Sequence, residues 1–256
     1  MSLSLPRSAP SALEYFATLV ADDESLSLTE AAVAIAQDDY PQLDVQQVLA
    51  ELDALGERLR RRLPADAPPN HRLRMLSQYF HGELGFAGNV NDYYAADNSY
   101  VHQVLASRRG IPITLAVVFM ELASHVGLRV RGVSFPGHFL MKLRLPQGEV
   151  VLDPFSGRSL ARSELDEFLD PWRSQAQQPL MLESFLGSAS SRQILVRMLR
   201  NLRQVHQQGR DLSRLLRVQQ RLVTLLPQDE QERVELALCL AQLQGQDPGD
   251  GGRRLH

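Results

Sequence analysis

A histidine and an aspartate stand at the ends of two extended stretches in the middle of this chain. His138 follows Pro136-Gly137 and opens a run to Leu145; Asp153 closes a second run that begins at Val150. If these strands pair as a hairpin or as near neighbours, the two side chains can meet. An aspartate that accepts a hydrogen bond from an imidazole fixes its tautomer and raises its basicity, the base-and-orienter half of a triad. The missing part is a nucleophile at the start of the preceding helix. There the helix N-terminus lowers a thiol pKa and offers backbone N–H groups to an oxyanion. That helix begins Pro112-Ile113-Thr114, with proline at its favoured first position. The single cysteine, Cys239, lies in the last helical stretch on an apolar stripe, where a small buried hydrophobe is the expected role. The available hydroxyls are Thr114 and Ser134. Either needs a strong, positioned base because a hydroxyl pKa is high. A threonine in a first helical turn more often bonds its own backbone.

Ahead of this helix lies a polar, aromatic-rich loop with Asn89, Asp92, Asn98, Ser99 and Tyr100. It reads either as the wall of a groove for a peptide or small ligand, or as turn chemistry in which Asn and Asp satisfy loop backbone. His138, His125 and Asp153 match no zinc-ligand spacing, and there is no second Cys/His cluster, so neither metal nor cofactor is expected. His81 and His102 are expected at the surface. Arg210, Arg214, Arg217 and Arg221 recur at helical spacing. They predict one basic helix face, either solvated or facing an acidic partner.

The elements that must position these residues fall into three regions. Up to about Asn70 the apolar spacing predicts helices around Leu13–Val20, Ala31–Ile35 and Val45–Leu59, followed by a proline-rich linker at 64–69. From about 70 to 175 a helical stretch, Leu73–Phe80, leads into the Gly-, Asn- and Tyr-rich loop. The Pro112 helix then runs to Val126 and ends on the C-cap signal Gly127. Strands are predicted at Arg129–Phe135, His138–Leu145 and Val150–Asp153, with turns at Pro136-Gly137 and Pro146-Gln147-Gly148. Helix followed by three strands implies an antiparallel sheet against a helix. From Ser190 to Gln244 three apolar stripes predict three helices, broken at Gly209-Arg210-Asp211 and Pro227-Gln228-Asp229.

The chain's 256 residues suffice for a sizeable core. A net charge of -3 gives no global pull toward nucleic acid or anionic membrane. One cysteine allows no intramolecular disulfide, which suits a reducing cytosol. No apolar run is long enough for a membrane helix, and Met1–Pro10 has no signal-peptide pattern. A cytoplasmic location is expected.

Taken together, the Pro112 helix, "GLRVRGV", "PGHF" and "VLDPF" resemble the core of the transglutaminase-like superfamily, of papain type. The longer string from "NDYYAADNSY" to "PGHFLMKL" resembles its bacterial SirB-like branch. "LRNLRQVHQQGRDLSRLLRVQQRLVTLLPQD" resembles the tetratricopeptide-like helices that follow the core there. The resemblance covers about residues 10–245. It implies an α+β fold: a helical N-terminal region (1–70), a core of antiparallel strands packed on a helix (71–189), an all-helical segment (190–245) and a disordered tail (246–256). In that superfamily a cysteine stands at a helix start, a histidine on a strand and an aspartate on the next. His138 and Asp153 take the last two places, whereas the cysteine's place falls at Pro112 or its neighbours Ile113 and Thr114, none of them cysteine. The resemblance therefore implies a non-catalytic scaffolding or regulatory module that binds another protein or a peptide. The groove would be formed by Asn98, Ser99, Tyr100 and Pro112. A hydrolase or acyltransferase using Thr114 or Ser134 with His138 and Asp153 is the rival expectation. An assembly factor working through its C-terminal helices is a third.

Overall fold

The computed structural model describes residues 10–174 and 179–245; residues 1–9 and the expected disordered tail at 246–256 lie outside the described residues. The N-terminal helices are α1 (Ala12–Leu19), α2 (Leu28–Ala34) and α3 (Val45–Arg60). Ser11 and Glu14 form a capping box at the start of α1, and Asp44 caps α3 by accepting from the Gln47 amide at 3.1 Å. Helix α4 (Pro69–Ser77) widens into a π turn at Gln78–Glu83, a longer path than the helix expected to stop at Phe80.

The next stretch holds a two-residue parallel pair, β1 (Ala87–Gly88) with β2 (Arg109–Gly110), around a short 3-10 turn and helix α5 (Val101–Ser107). Helix α6 (Pro112–His125) follows and is apolar on nearly every side, as a helix in the middle of a domain must be. It ends in a Schellman motif. Gly127, at φ +69°, donates to the Ser124 carbonyl at 3.0 Å, and Leu128 donates to that of Ala123 at 3.0 Å.

The main sheet is antiparallel in the order β3 (Arg131–Val133), β4 (Leu140–Leu145), β5 (Gly148–Leu152) and β6 (Ser159–Leu160). The strands are shorter than their sequence pattern suggests. The expected second strand loses its first two residues because Pro136-Gly137 turns there, with Gly137 at φ +68°, leaving His138 and Phe139 in the loop. Side chains alternate across the sheet. Met141, Leu143 and Leu152 join the main core with α6, whereas Val133, Leu140 and Val151 join a second cluster under α7 (Arg162–Arg173). Helix α7 was not foreseen: its apolar anchors Leu165 and Leu169 sit in a strongly charged stretch.

Three helices complete the described chain: α8 (Ser191–Gln208), α9 (Leu212–Leu225) and α10 (Glu230–Gly245). The main apolar core runs continuously from Phe16 of α1 to Leu225 of α9. The third apolar stripe behaves differently from the other two, since Val234, Leu238 and Leu240 of α10 are exposed while Cys239 is buried. No described helix is long and apolar enough to cross a membrane.

Candidate functional site

Helix α6 has Pro112 at its first position, and Ile111, its N-cap residue, offers no side-chain cap. The first-turn amides of a helix have no partner within the helix, so this end keeps its donors and its positive partial charge. The same turn, through Ile111, Pro112 and Ile113, lines a cavity of about 220 Å³. Ser99 and Tyr93-Tyr94 line one side, Gly137 and Phe139 another, and Arg197, Asn201 and Gln204 of α8 a third. The two tyrosines are exposed and meet edge to face at 5.3 Å.

Two of the four expected groove residues, Ser99 and Pro112, line this cavity; Asn98 and Tyr100 do not. Buried Asn98 holds the loop together instead. Its Nδ2 donates to the carbonyls of Asp92 (2.6 Å) and Tyr93 (3.1 Å), and its Oδ1 accepts from Asn89 at 2.9 Å. The buried Tyr100 hydroxyl donates to Asp39. Turn chemistry thus accounts for the asparagines, while the tyrosines ahead of them form the lip.

His138 and Asp153 lie at the same end of the two inner strands, β4 and β5, with no hydrogen bond or ion pair between them. Met141 pairs with Leu152, and continuing that register sets Asp153 opposite Leu140, two residues from His138. His138 itself lies in the loop before β4, outside the paired residues. Each is engaged locally. Asp153 Oδ1 accepts from the Phe155 amide at 2.9 Å and Oδ2 from the Ser156 hydroxyl at 2.6 Å. The His138 ring stacks on Phe168 of α7, centroids 4.3 Å apart and planes within 16°. Burial holds the His138 pKa below the ordinary histidine range; the Asp153 charge opposes this and Arg197 adds to it.

Neither candidate hydroxyl faces the histidine ring as a hydrogen-bond partner. Thr114 is fully buried and its Oγ1 has no partner. Ser134 Oγ accepts from Arg197 at 2.8 Å. His125, weighed with His138 and Asp153 as a metal ligand, sits instead at the far end of α6 beside Asp53.

His81, expected at the surface, is half-buried. Its Nδ1 lies 2.9 Å from the Phe86 carbonyl oxygen, and a Cβ on Gly157 would come within 2.7 Å of its ring. Burial lowers its pKa, and the Asp153 charge again opposes this. The loop after β5 is therefore flanked by two histidines. The signal in the sequence was Gly157, which must be small there and adopts φ +75°. The α8 residues Arg197, Asn201 and Gln204 were also missed: they recur at i, i+4 and i+7 on one face, but nothing local says that this face meets the Pro112 end of α6.

Three arginines of the expected basic stripe pair within the chain. Arg214 and Arg217 pair with Asp39 at 3.4 and 3.0 Å, and buried Arg221 pairs with Asp38 at 2.6 Å while lying 4.7 Å over the Phe16 ring. For these three arginines the partner is the chain's own Asp38-Asp39, whereas Arg210, just before α9, is exposed.

A family model described as the transglutaminase-like superfamily matches residues 46–200, which hold α6, the whole sheet and the cavity's α8 arginine. The chain belongs to the transglutaminase-like superfamily. Among known proteins, this transglutaminase-like chain is 37% identical over 224 residues to a UPF0162 protein of Xylella fastidiosa, covering 87% of this chain and 80% of the relative. A UPF0162 protein of Pseudomonas aeruginosa is 34% identical, covering 80% and 74%. UPF0162 protein YchA of Escherichia coli K12 is 28% identical, covering 80% and 75%. No solved structure matches the chain.

Proposed function

We propose that this transglutaminase-like protein is a non-catalytic module that holds an extended peptide or protein segment at the cavity beside Pro112. One observation carries this reading: a non-nucleophilic residue, Pro112, occupies the helix start that lines the cavity. The cavity's chemistry suits binding. Exposed Tyr93 and Tyr94 supply amphipathic area at its lip, uncapped first-turn amides of α6 supply donors, and Arg197, Asn201 and Gln204 supply polar specificity. The engagement of both Asp153 oxygens elsewhere supports the same view, because a base without its orienter and nucleophile contributes little.

The deciding experiment displays random extended peptides to the purified chain and repeats the selection with Tyr93→Ala/Tyr94→Ala. The wild type is expected to enrich a sequence class that the double variant loses, while esterase and amidase assays show no turnover sensitive to His138→Ala. Turnover that vanishes in His138→Ala would replace this reading with a hydrolase or acyltransferase that uses Thr114 or Ser134.

A further inference from the structure

At the end of α6 opposite the cavity, a separate group of ionisable side chains gathers. Helix α6 has 14 residues, which sets its two ends about 20 Å apart. His125 closes the helix. Its Nε2 lies 3.3 Å from Asp53 Oδ1 and 3.7 Å from Glu121 Oε1, and its Nδ1 lies 3.8 Å from Glu57 Oε1. Each helix contributes an i, i+4 pair, Asp53 with Glu57 from α3 and Glu121 with His125 from α6, so each pair projects from one face. One donor atom from each of Asp53, Glu121 and His125 falls within 4.8 Å of the others.

The spacing around His125 Nε2 is close to what a metal needs. Tetrahedral bonds of about 2.0–2.2 Å from nitrogen and carboxylate ligands separate neighbouring donor atoms by roughly 3.3–3.6 Å. The distances from His125 Nε2 fall at or next to that range.

The charges also fit. Among the described residues, neither Asp53 nor Glu121 forms an ion pair with a lysine or arginine; His125 is the only cationic partner of either. Glu57 is different, since it also pairs with Arg60 at 2.8 Å. Two carboxylates without a lysine or arginine partner thus face one imidazole, a surplus of negative charge that a divalent cation would balance.

The surroundings hold the donors in place. A Cβ at position 56 would come within 2.4 Å of the His125 ring, so Gly56 is what lets the imidazole lie flat against α3. The Thr29 hydroxyl of α2 donates to the second oxygen of Glu121. Glu57 stands on the Nδ1 side of His125 at 3.8 Å, too far for a direct hydrogen bond.

We propose that Asp53, Glu121 and His125 form a binding site for a divalent transition metal such as zinc. Asp53 is well exposed, so a water or an incoming ligand can complete the coordination. The metal would clip α3 to α6, fastening the N-terminal helices to the helix whose other end lines the cavity. This site and the peptide groove stand or fall separately.

The test uses the untagged full-length chain stripped with chelator. Co²⁺ is titrated while its visible absorption is followed, Zn²⁺ is titrated by calorimetry, and the melting temperature is read with and without Zn²⁺. One equivalent should bind with the intense bands of a tetrahedral site, and zinc should raise the melting temperature. Asp53→Asn and Glu121→Gln, which keep size and shape, should each weaken binding by about tenfold or more. His125→Asn should remove the bands. Absence of saturable one-equivalent binding in the wild type would overturn the proposal. So would unchanged affinity in Asp53→Asn and Glu121→Gln, which would place the metal on other histidines.

Discussion

Arg197 donates through Nη2 to the carbonyl of His138 at 2.7 Å, tying the first C-terminal helix to the histidine turn. Nη1 of the same guanidinium donates to Ser134 Oγ at 2.8 Å and to the Phe135 carbonyl at 3.0 Å, and the group lies 5.6 Å over the Phe139 ring. Among the described residues no carboxylate pairs with it, and burial pulls its pKa below the usual arginine range. One side chain from α8 thus fixes the loop between β3 and β4 and lends its charge to the cavity. Replacing it with methionine keeps the apolar stem and removes three charge-assisted bonds. Arg197→Met should destabilise the chain by about 2 kcal/mol, read from urea unfolding, and should abolish peptide capture at the cavity. Undiminished capture would exclude the arginine from the binding surface.

Restoring a thiol at the helix start tests how much of a catalytic apparatus is left. In Pro112→Cys the sulfur would sit at an uncapped helix N-terminus, which lowers thiol pKa. Iodoacetamide should therefore alkylate it at neutral pH faster than a free cysteine peptide. Peptide-amide turnover should stay at background, since His138 stacks on Phe168 and Asp153 is held by Phe155 and Ser156. Turnover that disappears on adding His138→Ala would show that the pair can rearrange into a working base.

The C-terminal helices are joined by a buried carboxylate. Glu232 of α10 is 2% exposed; it accepts from Arg200 at 2.8 Å, Arg203 at 2.7 Å and Gln219 Nε2 at 2.8 Å. Burial pushes its pKa up, but the bonds from Gln219 and Arg200 and the Arg203 charge outweigh this and hold it below the usual range. Glu232→Ala leaves two arginines facing a void. Because Arg200 and Arg203 keep part of their surface in water, the cost should be about 1–2 kcal/mol, seen as a lower urea midpoint. A loss much smaller than that would mean water replaces the carboxylate without strain.

The helices were legible wherever their apolar spacing was regular, as in α3, α6, α8 and α9. The turn at Pro136-Gly137 and the stop at Gly127 were legible because proline and glycine restrict backbone directly. What failed was long-range. The sequence does not reveal that Asp38-Asp39 would reach across to Arg214, Arg217 and Arg221, since those ion pairs span up to 183 positions. It placed His138 and Asp153 at the ends of two strands but not the turn that leaves His138 in a loop, nor the Phe155 and Ser156 bonds that hold Asp153. Helix α10 illustrates the opposite error: its apolar content suggested a buried stripe, yet Val234, Leu238 and Leu240 face outward while acidic Glu232 goes in.

Acid sensitivity follows from four histidines. Burial is the leading cause that holds His81, His102, His138 and His206 below the ordinary histidine range. His206 is 3% exposed and its Nε2 has no partner. In the unfolded chain each titrates near pH 6.5. As pH falls through that value the unfolded chain takes up protons before the folded one, so stability is lost from about pH 6.5 downward. The loss levels off once pH drops below the folded values, and above pH 7.5 these groups are neutral in both states and contribute no slope. The urea midpoint should therefore fall between pH 7.5 and pH 5.5, well above the range in which carboxylates such as Glu232 titrate. His206→Gln, which cannot take up a proton, should reduce that fall even where it lowers the midpoint at pH 7.5. A midpoint that holds level between the two pH values would mean that these rings are hydrated and charge freely in the folded protein.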